Sequence, residues 1–204
     1  MLQLTQINPL FYSPLIVFNN EELLYINSIV WHEIEQRMTA EIGVDRSNWG
    51  GWHSDDDFFD RSEQGHVTLQ TLILDAIQQA TTSIAPKFDL DRYMMNVEGW
   101  VNVANRSCLN TPHDHPAWVW SGCYYVKVPK QDKEYGGKVE FMDHRTNIRT
   151  LTVDGAPCFA SKFSVMPKAG MLIIFPSYLR HWVYPNESDE SRVSIAFNAR
   201  FISK

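Results

Sequence analysis

Residues 170–176 read Gly170-Met171-Leu172-Ile173-Ile174-Phe175-Pro176, a short apolar run that predicts a buried β-strand. Four more short segments are rich in alternating apolar, β-branched or aromatic residues, which predicts further strands. These segments are Met94–Asn105, Trp118–Val128, Lys138–Met142 and Ser191–Ile202. Turn residues such as Gly136-Gly137 separate them, and such a succession is typical of a β-sandwich or barrel.

Two helices are predicted before these strands. Asn19-Asn20-Glu21-Glu22 resembles a capping box and precedes apolar residues at helical spacing, which predicts a helix over residues 20–38. Apolar residues between Thr68 and Ala85 have the same spacing, and Pro86 ends this second helix. We therefore predict an α+β fold that is mainly β with flanking helices. Its core is a double-stranded β-helix (a cupin-like jelly roll), and the N-terminal helices pack on one face.

The domain organisation follows from the same pattern. We predict one domain over residues 1–204, because no linker or internal repeat interrupts the chain. Residues 1–92 supply the helical support and an irregular segment, and residues 93–204 supply the jelly-roll core.

The composition narrows the class of protein. The 204 residues are 44% hydrophobic and 21% charged, as in an ordinary globular protein, and the net charge is −6. An acidic chain with scattered Lys and Arg argues against nucleic acid as the main ligand, and no apolar stretch is long enough to span a membrane. The N-terminus lacks the pattern of a signal peptide and the three cysteines form no CxxC pair. We therefore expect a cytoplasmic protein with reduced thiols.

Three histidines are candidate metal ligands. His113 and His115 lie two residues apart, so in an extended segment their imidazoles share one face while Asp114 points away. His181 follows the apolar strand, and pairing of a late strand with an early one would bring it to the other two. Three imidazoles suit iron, zinc, copper or nickel. An isolated HxH pair is also common in proteins that bind no metal.

Arg192 is a candidate ligand-binding residue on the last predicted strand. Arg192, Ser194 and Asn198 share one face of that strand, and its apolar residues share the other. A guanidinium that faces the inside of a barrel is costly unless a partner neutralises it. A dicarboxylate ligand is one such partner, because a guanidinium fork and a hydroxyl suit a carboxylate. The alternative is a structural ion pair with an acidic residue of the chain.

The order of these motifs resembles the 2-oxoglutarate/Fe(II)-dependent oxygenase superfamily, and its prolyl-hydroxylase-like members in particular. The motifs, in chain order, are His113-Asp114-His115, residues 121–126, residues 136–141, residues 167–176, His181 and Arg192-x-Ser194. This likeness spans roughly residues 94–202. Residues 47–54 also resemble the N-terminal signature of a bacterial and phage group of 2OG-Fe(II) oxygenases, which extends the resemblance to nearly the whole chain.

For the metal, the resemblance implies that His113, His115 and His181 hold Fe(II). The superfamily usually has an HxD motif, with a carboxylate at the position of His115, whereas the bacterial and phage group carries HxH. A three-His site keeps the facial arrangement but loses one negative charge, so we expect altered redox tuning. Ligation by Asp114 in place of His115 needs a kinked backbone and is the minor alternative.

For the co-substrate, the resemblance implies that Arg192 and Ser194 bind the distal carboxylate of 2-oxoglutarate. Tyr125 would donate a hydrogen bond to the same carboxylate, while Tyr124 points the other way. The implied reaction couples oxidative decarboxylation of 2-oxoglutarate, which yields succinate, to oxidation of a substrate. A hydroxylation is the expected outcome.

Two rival functions stay open. A three-His site on a cupin-like fold can also serve a cofactor-independent dioxygenase or a hydrolase. In those enzymes Arg192 need not face the metal. The same scaffold can also be a non-catalytic jelly-roll binding module, in which one histidine would turn away from the other two.

The sequence defines the substrate and its binding residues less well than the metal and co-substrate ligands. We expect a small molecule or a protein side chain as substrate, with Asn102 and Asn198 as candidate contacts to substrate or water. Buried amides bonded to the backbone fit these two positions equally. Gly50-Gly51-Trp52, within residues 47–57, is a candidate lid because glycine permits hinge conformations. A homodimer is the default expectation for the oligomeric state.

Overall fold

The computed structural model describes residues 3–6, 10–19, 24–145, 153 and 155–204. Two α-helices lie in these ranges, α1 (Leu24–Ala40) and α2 (Gln64–Ile84). The strands, in chain order, are β1 (Ile16–Asn19), β2 (Asn48–Trp49), β3 (Trp52–His53), β4 (Tyr93–Ala104), β5 (Leu109–His113), β6 (Trp120–Lys127), β7 (Val139–Met142), β8 (Lys162–Val165), β9 (Met171–Pro176), β10 (His181–Val183) and β11 (Arg192–Ser203).

The strands form two antiparallel sheets. The larger sheet has the order β1-β9-β6-β11-β4-β3, and the smaller sheet has the order β2-β5-β10-β7-β8. From β4 onward the chain alternates between the two sheets, except that β7 and the following β8 both lie in the smaller one. This alternation is that of a double-stranded β-helix, so the predicted jelly-roll core is confirmed.

The outer face of the larger sheet packs on both helices. Along β11, Val193, Ile195 and Phe197 belong to one buried cluster with Val30 of α1 and Ile73 of α2. Because side chains alternate along a strand, the polar residues of β11 face the inside of the sandwich instead. The prediction that the helices pack on one face of the core is therefore confirmed.

Two side-chain hydrogen bonds also join the sheet to the helices. The Tyr124 hydroxyl donates to Oδ1 of Asn27 in α1 at 2.7 Å, and the Trp120 indole donates to Oγ1 of Thr81 in α2 at 3.0 Å. Both bonds are buried, so each satisfies polar groups that would otherwise be costly inside the core.

The predicted helices differ from the observed ones at their ends. The predicted capping residues at 20–22 lie outside the described residues, and α1 continues to Ala40. Helix α2 begins at Gln64, four residues before the prediction, because Glu33 of α1 accepts hydrogen bonds from the backbone N–H groups of Gly65 and His66 at 2.8 and 3.0 Å. A cap that comes from another helix leaves no local sequence signal.

The five predicted strands match β4, β6, β7, β9 and β11 with ends that differ by up to two residues. The sequence did not predict β1, β2, β3, β8 and β10, and it suggested β5 only as an extended HxH segment. These strands span two to five residues each. Such lengths are too short for a two-residue alternation to stand out, so their pairing depends on the longer strands beside them.

Residues 47–57 form a strap between the two sheets. Within it, β2 pairs with β5 of the smaller sheet and β3 pairs with β4 of the larger sheet. Gly50 and Gly51, at φ 73° and 75°, make the crossing, and a Cβ at Gly51 would lie 2.3 Å from the Val103 carbonyl oxygen. Arg37 of α1 also donates to Asp57 at 2.7 Å. These contacts join the segment to both sheets and to α1, and the lid that the glycines suggested stays a prediction.

None of the helices in the described ranges combines the length and the hydropathy that a membrane span requires.

The packing of β11 on the helices can be tested with two isoleucines of that strand. Ile195 is fully buried, whereas Ile202 is 40% exposed. Replacing Ile195 by Ala should lower the free energy of unfolding by about 2–5 kcal/mol, because it leaves a cavity in the core. Ile202→Ala should cost less than about 1 kcal/mol. Urea denaturation of both variants measures the difference, and equal losses would contradict the packing described.

Candidate active site

Three histidines converge at the open edge between the sheets. His181 at the start of β10 lies opposite His113 at the end of β5, and His115 follows two residues later. The ring centroids are 4.4 Å apart for His113 and His181, 5.0 Å for His113 and His115, and 5.4 Å for His115 and His181. One ring nitrogen of each lies within 4.8 Å of the other two, a spacing that one metal ion can bridge.

Backbone carbonyls orient two of the imidazoles. Nδ1 of His113 lies 2.6 Å from the Thr111 oxygen, and Nδ1 of His181 lies 2.9 Å from the Leu179 oxygen. A carbonyl can only accept, so Nδ1 carries the proton in both rings. This leaves the Nε2 lone pairs free to bind a metal.

The third imidazole is oriented by a side chain. Nδ1 of His115 lies 3.5 Å from Nδ2 of Asn198, and the backbone N–H of His115 donates to the Ser177 carbonyl at 3.0 Å. Asn198 is itself held on two sides, because its Oδ1 accepts from the Ser121 hydroxyl at 2.7 Å and its Nδ2 donates to Glu98 at 2.9 Å. The amide N–H faces Nδ1 of His115, so Nδ1 accepts and Nε2 carries the proton, and metal binding through Nε2 would require the Asn198 amide to turn.

Burial keeps the three imidazoles neutral at pH 7. It lowers the pKa of His181 to about 3 and that of His115 to about 4, with the neighbouring histidines adding a smaller effect in the same direction. Burial also lowers the pKa of His113. Neutral imidazoles present lone pairs to a cation without competition from protons. Asp114 is exposed and is not part of this cluster.

A cavity of about 550 Å³, including its open mouth, extends from the histidines into the jelly roll. Both sheets line it, and the residues predicted for the co-substrate are among its walls. Tyr125, Ser194 and Asn102 lie side by side there on three neighbouring strands, because Ser194 of β11 pairs with Tyr125 of β6 and with Asn102 of β4.

Arg192 lies in the same cavity, and among the described residues it has no acidic partner. The residue is 3% exposed, and its one hydrogen bond within the described ranges runs from Nη1 to the Gly137 carbonyl at 3.2 Å. Its Nε has no partner, and no carboxylate of the described residues lies within ion-pair distance. The predicted alternative, a structural ion pair, is therefore not found in the described ranges. A buried guanidinium of this kind favours an anionic ligand.

The two neighbouring tyrosines face opposite sides of the larger sheet. Tyr124 points to the helices, whereas Tyr125 lines the cavity. Burial raises the pKa of Tyr125 well above its usual value, so its hydroxyl stays protonated and can donate a hydrogen bond. Cys123, which the sequence did not single out, lies beside Tyr125 in the cavity wall, and burial raises the pKa of its thiol.

The two predicted substrate contacts have different surroundings. Asn102 lines the cavity, and its buried Oδ1 has no hydrogen-bond partner. Asn198 lies behind His115, and its amide is occupied by Ser121, Glu98 and His115. An acceptor without a partner can take a hydrogen bond from a bound molecule, whereas the Asn198 amide acts on a neighbouring imidazole.

Glu98 is among the residues of this site that the sequence reasoning missed, and Trp100 was assigned only to the core or the pocket wall. The Trp100 ring lies 5.9 Å from that of His115 and 5.8 Å from that of His53. Glu98 and Trp100 lie in the predicted strand 94–105, four and two positions before Asn102, so alternation puts them on the same face as Asn102. The two-residue alternation of the strand could have placed both side chains on the inner face. It could not show which side chains they contact, because that depends on the neighbouring strands.

The lowered histidine pKa values predict a pH dependence of stability in the metal-free protein. The unfolded chain binds protons below the ordinary histidine pKa of 6.5, whereas folded His181 binds them only near pH 3. The stability contribution of His181 is therefore complete above pH 6.5 and is lost as the pH falls towards 3. In His181→Asn this loss should be smaller.

Urea denaturation at pH 4–7 in the presence of a chelator measures this effect. Exposed His144 provides the control, because His144→Asn should keep the wild-type pH profile. A His181→Asn profile that is parallel to wild type would contradict the stated burial of the imidazole.

A family model described as "Putative 2OG-Fe(II) oxygenase" matches residues 98–198, which include the three histidines and Arg192. No curated protein sequence matches the chain significantly. Among solved structures, a Pseudomonas putida prolyl-4-hydroxylase is similar with a TM-score of 0.61, 14% identity and 92% coverage of each chain.

Two further solved structures are similar to this chain over most of its length. A viral collagen prolyl hydroxylase from Paramecium Bursaria Chlorella virus-1, solved as a 2OG complex, has a TM-score of 0.58 and 12% identity, over 91% of this chain and 95% of that one. A Trichoplax adhaerens prolyl hydroxylase, solved with a peptide fragment of the hypoxia inducible factor oxygen degradation domain, has a TM-score of 0.63 and 12% identity, over 91% and 82%. At sequence identities this low, the structural similarity establishes the shared fold alone.

Proposed function

Because the chain belongs to the superfamily of 2-oxoglutarate- and Fe(II)-dependent oxygenases, we propose that it couples decarboxylation of 2-oxoglutarate to the hydroxylation of a substrate. The superfamily uses Fe(II) as its metal and 2-oxoglutarate as its co-substrate. The observation that carries the proposal is Arg192, a buried guanidinium that has no acidic partner among the described residues and lines the same cavity as the three histidines.

We assign His113, His115 and His181 as the Fe(II) ligands. Three neutral imidazoles would supply nitrogen ligands that suit Fe(II), and they line the cavity that would admit the co-substrate. When bound, Fe(II) and 2-oxoglutarate together would supply the electrons that activate O₂ for oxidation of the substrate, which no side chain offers. The protein's own part is to fix the imidazoles, hold the co-substrate and limit access of water.

We assign Arg192, Ser194 and Tyr125 to the distal carboxylate of 2-oxoglutarate. A guanidinium and two hydroxyl groups offer the charge and the donors that a carboxylate accepts. The fit is supported by the unpartnered Nε of Arg192 and by the protonated state of Tyr125. A bound carboxylate would remove the cost of burying this guanidinium.

The substrate site is assigned to the cavity wall around Asn102. Its buried and unpartnered Oδ1 supports a contact to an N–H or O–H donor of the substrate. Three of the similar structures are prolyl hydroxylases by name, and one of them holds a peptide. We therefore propose a peptide side chain as the first substrate class to test, ahead of a free small molecule.

The two rival functions lack support at this site. A cofactor-independent dioxygenase or a hydrolase does not require a buried and unpaired guanidinium in the metal cavity, and Arg192 is one. A non-catalytic module would tolerate a displaced histidine, whereas all three rings converge within 5.4 Å of each other.

Anaerobic titration of the Fe(II)-loaded protein with 2-oxoglutarate tests the proposal. We expect the weak visible charge-transfer band of the chelate, and the band should need about 10- to 100-fold more 2-oxoglutarate in Arg192→Gln, because a charge-assisted carboxylate contact is lost. Arg200→Gln is the matched control. Arg200 is on the same strand but bonds to Asn96 and stacks on Trp118, so the titration should be unchanged.

Stoichiometric Fe(II) binding without any band would contradict the proposal and favour a cofactor-independent metalloenzyme. A band whose dependence on 2-oxoglutarate is the same in Arg192→Gln and wild type would remove Arg192 from the co-substrate site.

The adjacent tyrosines provide a second test of the co-substrate site. Tyr125→Phe should weaken 2-oxoglutarate binding by roughly 3- to 10-fold, because one hydrogen-bond donor is lost. Tyr124→Phe should leave that binding unchanged and should instead destabilise the fold, because it removes the bond to Asn27. Isothermal titration and urea denaturation of both variants measure the two effects. Equal effects on binding would contradict the assignment.

A further inference from the structure

Strand β4 presents Glu98, Trp100 and Asn102 in succession to the inside of the sandwich. They are two residues apart, so their side chains share one face of the strand. Asn102 lies beside Ser194, which is assigned to the co-substrate. The Trp100 ring lies closer to the proposed metal ligands, with its centroid 5.9 Å from that of His115. A substrate held at the metal would therefore lie against the Trp100 end of this face.

The Trp100 indole is held in place while it lines the cavity. It stacks on the imidazole of His53, with 5.8 Å between the ring centroids and 15° between the planes. His53 is itself fixed, because it is 2% exposed and its Nδ1 donates to the Ser54 carbonyl at 2.6 Å. An indole is the aromatic ring that attracts a cation most strongly.

Basic side chains of the protein lie over other tryptophans. The rings that pair with a Lys or Arg in this way are those of Trp31, Trp52 and Trp118. No Lys or Arg of the described residues lies over Trp100. The one tryptophan that lines the cavity is therefore not paired with a cation from the described part of the chain.

A carboxylate lies next to this ring on the same strand. Glu98 is half-buried, and its Oε1 accepts from the Asn198 amide at 2.9 Å. It forms no ion pair with a Lys or Arg of the described residues, and Arg200, two residues after Asn198, donates to Asn96 instead. A carboxylate that is partly withdrawn from water and is not neutralised by a basic side chain favours a cationic partner.

The strap adds negative charge on the same side of the cavity. Asp55 and Asp56 follow His53 directly, and both are exposed. Their charges raise the pKa of His53, although burial lowers that pKa by more. Asp56 pairs with Arg46 at 3.3 Å, but Asp55 has no ion pair in the described part of the chain. A cation that moves towards the Trp100 ring would therefore approach a region of negative charge.

We propose that Glu98 and Trp100 select a basic side chain, that of lysine or arginine, as the group brought to the metal. This inference rests on the proposed function and narrows its substrate class. The methylene groups of such a side chain would pack along the indole, and its cationic head would lie between the ring and the Glu98 carboxylate. The dianionic 2-oxoglutarate would offset the charge of Fe(II), so the metal would not repel the head. A proline side chain offers neither a charge nor an N–H group to these two residues.

Short peptide pools test the proposal without assuming a sequence around the modified residue. Each pool fixes the central residue as Lys, Arg, Gln or Pro and randomises its neighbours among small neutral residues. The measurement is peptide-dependent formation of succinate by the Fe(II)-loaded full-length chain with 2-oxoglutarate and O₂, together with the mass of the oxidised peptide. We expect the kcat/KM for the Lys or the Arg pool to exceed that for the Gln pool by about 10-fold or more, because Gln loses a charge-assisted contact.

Variants of Glu98 and Trp100 show whether this selectivity comes from the two residues. The ratio of kcat/KM for the preferred basic pool to that for the Gln pool should fall by about 10-fold in Glu98→Gln and by about 3- to 10-fold in Trp100→Leu. Glu98→Asp keeps the charge and should retain more of the ratio than Glu98→Gln. Because the ratio compares two pools on one variant, a general effect of the substitution on the metal site cancels.

Asp75→Asn is the matched control for the loss of a charge. Asp75 is exposed on α2, which packs on the outer face of the larger sheet, so its carboxylate is outside the cavity. The ratio should stay within about twofold of wild type, the scatter of an ordinary surface change.

Three results would overturn the inference. They are an equal kcat/KM for basic and Gln pools, a preference for the Pro pool, and a ratio that is unchanged in either Glu98→Gln or Trp100→Leu. If no pool stimulates succinate formation although the charge-transfer band of the 2-oxoglutarate chelate forms, the inference fails and the proposed function stands. Absence of that band in the wild-type protein would overturn the proposed function, and this inference with it.

Discussion

The pairing of β10 with β5 is the interaction on which the site depends. Its register sets His181 opposite His113 and their rings 4.4 Å apart. Because side chains alternate along a strand, a slip of one residue would turn His181 to the other face of the sheet. The pairing of His181 with Phe141 on the next strand opposes such a slip, and the bond from the His115 backbone to Ser177 fixes the remaining ligand.

The charge of the cavity also depends on which side chains the strands place inside it. Burial keeps the histidines neutral, and Arg192 enters the cavity from β11 without an acidic partner in the described ranges. A metal ion would make this interior more positive, which favours a dianion such as 2-oxoglutarate over a neutral ligand.

The sequence predicted the parts of the fold that have strong periodicity, namely the long strands, both helices and the side of the sheet they cover. It grouped the three histidines and Arg192 through spacing and resemblance, and these side chains do meet around one cavity. It missed the short strands, whose pairing is set by longer neighbours, and the Glu33 cap of α2. The substrate contact predicted at Asn198 came from strand alternation alone. Alternation shows that a residue faces inwards, but it does not show which side chains that residue contacts.

A crystal grown without oxygen in the presence of Fe(II) and 2-oxoglutarate gives the most direct measurement. The account predicts one anomalous peak at about 2.0–2.2 Å from a ring nitrogen of each of His113, His115 and His181, a normal metal–imidazole distance. It also predicts carboxylate density bonded to Arg192. A peak at Asp114 or elsewhere, or an Arg192 paired with an acidic residue of the protein, would contradict it.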